Sequence, residues 1–259
     1  MNKYKEFKNE MLLNQATQYR DKLMRNISAE FMCKSFAHKY SYNFEAMGRP
    51  IIQMPQDIVA LQEIIWNIKP DLIIETGIAH GGSLIMNASS LALLDICDAI
   101  ESGKNFDPTK SKRKVVGIDV DIRPHNRTAI ENHPMYSRIE MIEGSSTDPN
   151  IISKVKNIAT DFEKVLVCLD SNHTHEHVIS ELNAYAKLVS VGSYCIVYDT
   201  IIEELPKDMF PDRPWDPGNN PLTAVREFLH SNDSFIIDEQ IHQKLLISVA
   251  KEGYLKRIK

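Results

Sequence analysis

Two groups of residues have the types and spacing to do chemistry. The first, Glu75-Thr76-Gly77-Ile78-Ala79-His80-Gly81-Gly82-Ser83, directly follows the apolar run of residues 71–75. Gly77, Gly81 and Gly82 let a backbone approach a ligand closely, and the helix that follows at Ser83 offers free N–H groups. The spacing is not G-x-G-x-x-G, and no phosphate-loop lysine is present. Glu75 would repel a pyrophosphate but suits a cofactor with a cationic amino group and a sulfonium. Asp119, at the end of the run 114–119, can accept both ribose hydroxyls of an adenosyl group. Ser145 and Ser146 are small and polar, as a neighbour of adenine must be. Either acid alone would read equally as a helix cap; the two at successive strand ends point to an adenosyl cofactor. His80 reads as a solvated loop residue.

The second group is Asp170-Ser171-Asn172-His173-Thr174-His175-Glu176-His177, with Tyr198-Asp199-Thr200 further on. Asp170 and Asp199 end strands that the winding makes neighbours, about 4.8 Å apart. Carboxylates that close repel unless a proton or cation lies between them. Hard oxygen ligands with open positions suit Mg²⁺ or Mn²⁺. A substrate hydroxyl on such a metal becomes more acidic, and His173 is placed as the base that takes its proton. The oxygen could then attack the methyl group of a sulfonium in line. A rival reading pairs His173 with His177 at i, i+4 as ligands for Zn²⁺ or Fe²⁺, which requires a third ligand not identified in the sequence. His175 and His177 otherwise read as solvated imidazoles at a helix start.

These residues need a scaffold that brings distant segments together. Short β-branched runs at 71–75, 114–119, 138–144, 164–170 and 192–199 alternate with helical segments, which predicts five parallel strands with helices on both faces. Residues 234–238 and 244–250 read as two further strands, too close together for a helical crossover and therefore antiparallel. Asn220-Pro221 caps a helix over 222–230. An α/β sheet of five parallel strands closed by an antiparallel pair is the Rossmann-like form of S-adenosylmethionine-dependent methyltransferases, whereas a dinucleotide-binding domain would continue in parallel. Residues 1–50 read as a helical extension packing on a single domain at 51–259, the boundary lying at Gly48-Arg49-Pro50.

Composition narrows the partners. The formal charge of −5 argues against nucleic acid, which wants a basic face, and leaves small-molecule or glycosyl substrates. Cys33, Cys97, Cys168 and Cys195 form no CxxC pair and read as free thiols in a reducing compartment. The first residues lack the apolar core of a signal peptide, and no stretch reads as a membrane span, so a cytoplasmic location is expected. The Pro- and Gly-rich segment 203–220 reads as a lid or binding loop, with Trp215 able to stack on a sugar and Arg213 able to hold an anion.

The segments ETGIAHGGSL (75–84), GIDVDIR (117–123), IEGSS (142–146), the D-x-x-H of Asp170 to His173 and Asp199-Thr200 together resemble the cephalosporin hydroxylase-like family of class I methyltransferases. The resemblance runs from about Ile51 to the C-terminus. It implies a Rossmann-like O-methyltransferase that uses S-adenosylmethionine and Mg²⁺, acts on sugar or polysaccharide-precursor hydroxyls, and forms homo-oligomers. It implies that Asp170 binds metal, in a position shared with the cofactor, and that His173 acts as base. The family's fifth strand often ends in Glu-Asp, both ligands. Here Tyr198 precedes Asp199, which leaves Thr200, Glu203 or Glu204 as candidates for the third ligand. The alternatives are an Fe-dependent hydroxylase, an NAD-type oxidoreductase, or a cofactor-binding protein without turnover.

Overall fold

The computed structural model describes residues 2–259. Helices α1 (Lys3–Arg20) and α2 (Lys22–Ala37) meet at Asp21, whose carboxylate accepts from the N–H groups of Leu23 and Met24 and so restarts the helix. α1 buries no residue of its own. It is tied down near its end, where Gln18 donates to the carbonyls of Gln243 and Lys244 and the Tyr19 hydroxyl meets His242. Phe7, Leu12 and Leu13 stay exposed. A hairpin of β1 (Phe44–Ala46) and β2 (Arg49–Ile51) follows, turning through Met47 and Gly48, both at positive φ.

α3 (Pro55–Ile68) starts on a proline whose missing N–H would have had no helical partner anyway. Strand and helix then alternate: β3 (Leu72–Thr76), α4 (Gly82–Ser102), β4 (Lys114–Asp119), α5 (Pro124–Glu131), β5 (Ile139–Glu143), α6 (Pro149–Ala159), β6 (Val165–Leu169), α7 (His175–Tyr185) and β7 (Tyr194–Val197). The five strands are parallel in the order β5-β4-β3-β6-β7. Winding therefore reverses between β3 and β6, where an open parallel sheet leaves a crevice for ligands. Successive residues serve opposite faces. Ile73, Val115 and Leu166 pack toward α3 and α4, while Leu72, Val116 and Val167 pack toward the face where Val155, Leu182 and Val225 lie. A sheet covered on both sides explains why these strands read as continuous apolar runs.

α8 (Pro221–Ser231), β8 (Phe235–Ile237), α9 (Glu239–Leu245) and β9 (Tyr254–Arg257) complete the chain. The closure is antiparallel, with β9 inserted between β7 and β8. The strand expected at 244–250 is not formed. Asp238 caps the N–H groups of Gln240 and Ile241, which launches α9 in the gap. The run that follows is drawn to α3 instead: the buried Asp57 carboxylate accepts from Ser248 Oγ at 2.6 Å, Val249 N at 2.9 Å and Tyr254 Oη at 2.7 Å. Burial pushes Asp57 up to about 6, and these three donors limit the rise. The edge position falls to residues 254–257.

α4, 21 residues long, has the length and apolarity to cross a membrane, contrary to the expectation that no stretch would. Leu84, Ile85, Ala88, Leu91 and Leu94 on this helix are buried in the core beside the sheet, which is the ordinary place for such a helix.

Candidate active site

In register, Thr76 lies opposite Ile118 on one side and Leu169 on the other, so β3, β4 and β6 end level at one edge. Two glycines then set how closely the loops meet. Gly77 has φ +88°, and a Cβ there would lie 2.0 Å from the Asp170 carbonyl oxygen. A Cβ on Gly82 would lie 2.2 Å from the Pro50 carbonyl oxygen, which brings the β1–β2 hairpin over the start of α4. Gly81, expected beside a ligand, faces Ile130. The edge is thereby shaped into two recesses with Gly77 common to both.

The larger recess, about 340 Å³, is lined by Gly77, Ile118, Asp119, Ser145, Ser146 and His177 among others. Asp119 Oδ2 accepts from the N–H groups of Ile78 at 2.8 Å and Ala79 at 3.2 Å, so the acid also holds the glycine-rich turn. His177 Nε2 is 3.0 Å from Ser146 Oγ and 3.1 Å from Ser171 Oγ, and Ser171 donates to the fully buried Glu181 at 2.7 Å. Tyr185 donates to the Ser146 carbonyl. His177 is thus part of the recess wall, not a solvated imidazole. It also turns away from His173, which precedes α7, so the i, i+4 metal pair is not formed.

The smaller recess, about 40 Å³, lies under the hairpin and is lined by Pro50, Gln53, Gly77, Gly82, Ser83 and Asp170 among others. Glu75 stands behind it. The carboxylate is buried, accepts from Ser83 Oγ and from Asn87 Nδ2 at 2.8 Å, and reaches the recess only through Ser83. Burial pushes Glu75 up to about 7 against the pull of those two donors. The turn itself is locked from outside. The Arg49 guanidinium donates to the His80 carbonyl and to Asn126 Oδ1, and Asn126 donates to the Ala79 carbonyl. Ala79 is held at φ 47° by this brace. His80 contributes its backbone here.

Next to the smaller recess, Asp170, His173 and Asp199 converge, their ligand atoms all within 4.8 Å of one another. His173 Nε2 is 3.5 Å from Asp199 Oδ2. Burial and the adjacent Asp199 carboxylate hold the Asp170 carboxyl well above its usual range. Asp199 itself is at φ 55°, a strained position for a residue with a Cβ. Thr200 is buried and turns its hydroxyl to the Val249 carbonyl at 3.2 Å, outside this cluster; the third corner is His173. Tyr198 is buried in the core with Cys168 and Tyr254, and its hydroxyl has no hydrogen-bond partner among the described residues. Two carboxylates and one imidazole reverse the 2-His-1-carboxylate set of non-haem iron oxygenases and suit a hard divalent cation.

Segment 205–220 lies against this cluster. Trp215 meets the His173 ring edge-on at 5.7 Å, and Phe210 links Trp215 to Phe36 of α2. Glu203, a candidate ligand by sequence, instead accepts from Gly218 N at 2.8 Å and Asn220 Nδ2 at 2.5 Å, which closes the loop on itself. The brace by Arg49 and Asn126, the His177–Glu181 pair and Gln53 were not singled out from the sequence. Gln53 alone left a trace, as a polar residue inside the apolar run Ile51-Ile52-Gln53-Met54.

A seven-stranded sheet with five parallel strands, winding reversed at β3 and β6, antiparallel closure by β9, and acids at the ends of β3, β4 and β6 defines the Rossmann-like class I methyltransferase fold. The chain belongs to the rhamnosyl O-methyltransferase/CmcI family, whose model matches residues 38–258. Rhamnosyl O-methyltransferases of Mycobacterium tuberculosis and Mycobacterium bovis are 29% identical over 215 residues, 82% of this chain and 77% of theirs. One from Mycobacterium leprae is 25% identical over 155 residues, 60% of this chain and 59% of its own. The apo structure of CmcI-N160 and the Mg–SAM structure of cmcI-D160 align with a TM-score of 0.50 at 17% identity. They cover 84% of this chain and 77% and 78% of their own, and the likeness is one of fold.

Proposed function

We propose that the protein is an S-adenosylmethionine-dependent O-methyltransferase acting on a sugar hydroxyl, such as a rhamnosyl unit of a glycan or polysaccharide precursor. The observation that carries this reading is the junction of three features at one edge: an adenosyl-sized recess, a smaller recess backed by Glu75, and the Asp170–His173–Asp199 cluster beside it. Family membership and the mycobacterial relatives support the sugar acceptor.

In this reading Asp119, Ser145, Ser146 and His177 receive the adenosine. Ser83, with Glu75 behind it, faces the methionyl end. Asp170 and Asp199 would hold Mg²⁺, or Mn²⁺. Bound there, the cation would make an acceptor hydroxyl more acidic, and S-adenosylmethionine would supply an electrophilic methyl group. His173 takes the hydroxyl proton at Nε2, with Trp215 restraining its ring and excluding water on that side. The hairpin and Trp215 flank the transfer path, so orientation of the two reactants is the chain's main contribution.

The direct test is thermal shift with S-adenosylmethionine, NAD and 2-oxoglutarate, with and without Mg²⁺, followed by mass spectrometry of a rhamnosyl acceptor. Stabilisation by S-adenosylmethionine alone and a single added methyl group are expected. No stabilisation at millimolar concentration would sink the reading.

A pH signature follows from Glu75. A cationic methionyl end favours the ionised carboxylate, so binding lowers a pKa that stands at about 7 in the free protein. Below about pH 7, binding releases a proton and affinity rises by up to about tenfold per pH unit; above it, affinity levels off. Calorimetry in buffers of different ionisation enthalpy measures the released proton, and Glu75→Gln should abolish the dependence. Equal enthalpies in all buffers at pH 6 would contradict this role.

The same reading extends to the assembly. Residues 1–50 form an extension carried on the domain 51–259, and the exposed Phe7, Leu12, Leu13 and Leu23 of α1 and α2 serve contacts between copies in a homo-oligomer. The free thiols accord with a cytoplasmic location.

A further inference from the structure

The smaller recess contains a polar group that the methyl-transfer reading above does not use. Gln53 lies between β2 and α3, is 4% exposed, and lines this recess together with Ser83 and Asp170. Its carboxamide approaches the Asp170 carboxyl, whose ionised form it favours. Its Oε1 is buried and accepts no hydrogen bond among the described residues. Leaving a buried amide oxygen unpaired is costly, about 1–3 kcal/mol, and the residues around it are fixed by the hairpin and by the glycine contacts with Pro50. The neighbours Ile51 and Met54 are fully packed, so the segment cannot swing the amide into water without opening the core.

The unmet requirement is for a donor. In a recess backed by the Glu75 carboxylate and floored by Asp170, a cationic donor is favoured over a neutral one. The recess joins the adenosine recess at Gly77, which is where the amino-acid end of an extended adenosyl cofactor would lie. We infer that Gln53 is a cofactor-binding residue, whose Oε1 accepts a hydrogen bond from the α-ammonium group of the cofactor's methionyl end. Its amide bridges that end to Asp170, so cofactor occupancy and the orientation of the Asp170 carboxyl are coupled through one side chain. This inference rests on the assignment of the edge to S-adenosylmethionine.

The test compares two ligands by calorimetry on the full chain: S-adenosylhomocysteine and its analogue lacking the α-amino group. Gln53→Met keeps the volume and removes the acceptor. It should weaken S-adenosylhomocysteine by roughly 10- to 150-fold, the range for a hydrogen bond to a charged group, and leave the deamino analogue unchanged. Equal weakening of both ligands by Gln53→Met, or no weakening of either, would overturn the role of Gln53. Failure of the native chain to bind either ligand would instead remove the assignment of the edge itself.

Discussion

His173→Ala should slow methyl transfer by about 10²- to 10⁴-fold, the usual contribution of a positioned general base, and leave S-adenosylhomocysteine affinity nearly unchanged. The imidazole sits outside both recesses, 3.5 Å from Asp199 and edge-on to Trp215. Removing it therefore alters the Asp170–Asp199 cluster and leaves the lining of both recesses in place. Because His173 also completes the three-residue cluster, two roles must be separated. A base leaves a deficit that persists at saturating Mg²⁺ and yields to higher pH, where the acceptor hydroxyl ionises more readily. A ligand leaves a deficit that excess Mg²⁺ repairs at constant pH. Full activity at saturating Mg²⁺ and neutral pH would show that His173 is not the base.

Asp170→Asn should abolish the thermal response to Mg²⁺ and reduce transfer below detection, while the unliganded protein melts no lower than the native one. The sign of the second effect comes from the site. Burial and the Asp199 carboxylate both raise Asp170, so ionising it in the metal-free protein is unfavourable. An isosteric amide removes that repulsion and keeps the backbone tie, in which Asp170 N donates to the Thr76 carbonyl at 3.0 Å. In the native chain, Mg²⁺ at about a hundred times its dissociation constant should add about 2.7 kcal/mol, or roughly 5–10 °C in melting temperature at this size. A variant that melts well below the native chain yet keeps the Mg²⁺ shift would refute the assignment of Asp170 to metal.

The two variants also bear on Tyr198, which stands where the resemblance leads one to expect a second acid. Its ring belongs to the core layer with Cys168, Ile196 and Tyr254. An acid there would be an unpaired buried charge in this chain. His173 and Asp199 close the cluster from the other side, so a three-group set survives the substitution.

Periodicity and strand-end chemistry made most of the sheet legible in advance. Five apolar runs of strand length, separated by helical segments, admit few arrangements once crossovers are right-handed. Glu75, Asp119 and Asp170 are chemically informative because each ends such a run, at the edge where the loops of a parallel sheet gather. The end of the chain was less legible. KLLISVA has the composition of a strand, yet Asp238 caps a helix ahead of it and Asp57, nearly two hundred residues earlier, claims the N–H of Val249 and the hydroxyl of Ser248. A local pattern cannot report a partner that distant.

The glycine-rich turn and the strand-end aspartates Asp119, Asp170 and Asp199 were legible in the sequence alone, because residue type and position on a parallel strand limit what they can do. Only the tertiary structure decided which groups share a recess. It withdrew Thr200 to Val249, brought His173 into the cluster, set His177 against Ser146, and placed Gln53, between β2 and α3, in the wall of the smaller recess. Each of these depends on side-chain direction and on contacts between segments far apart in the chain, and neither is carried by spacing along it.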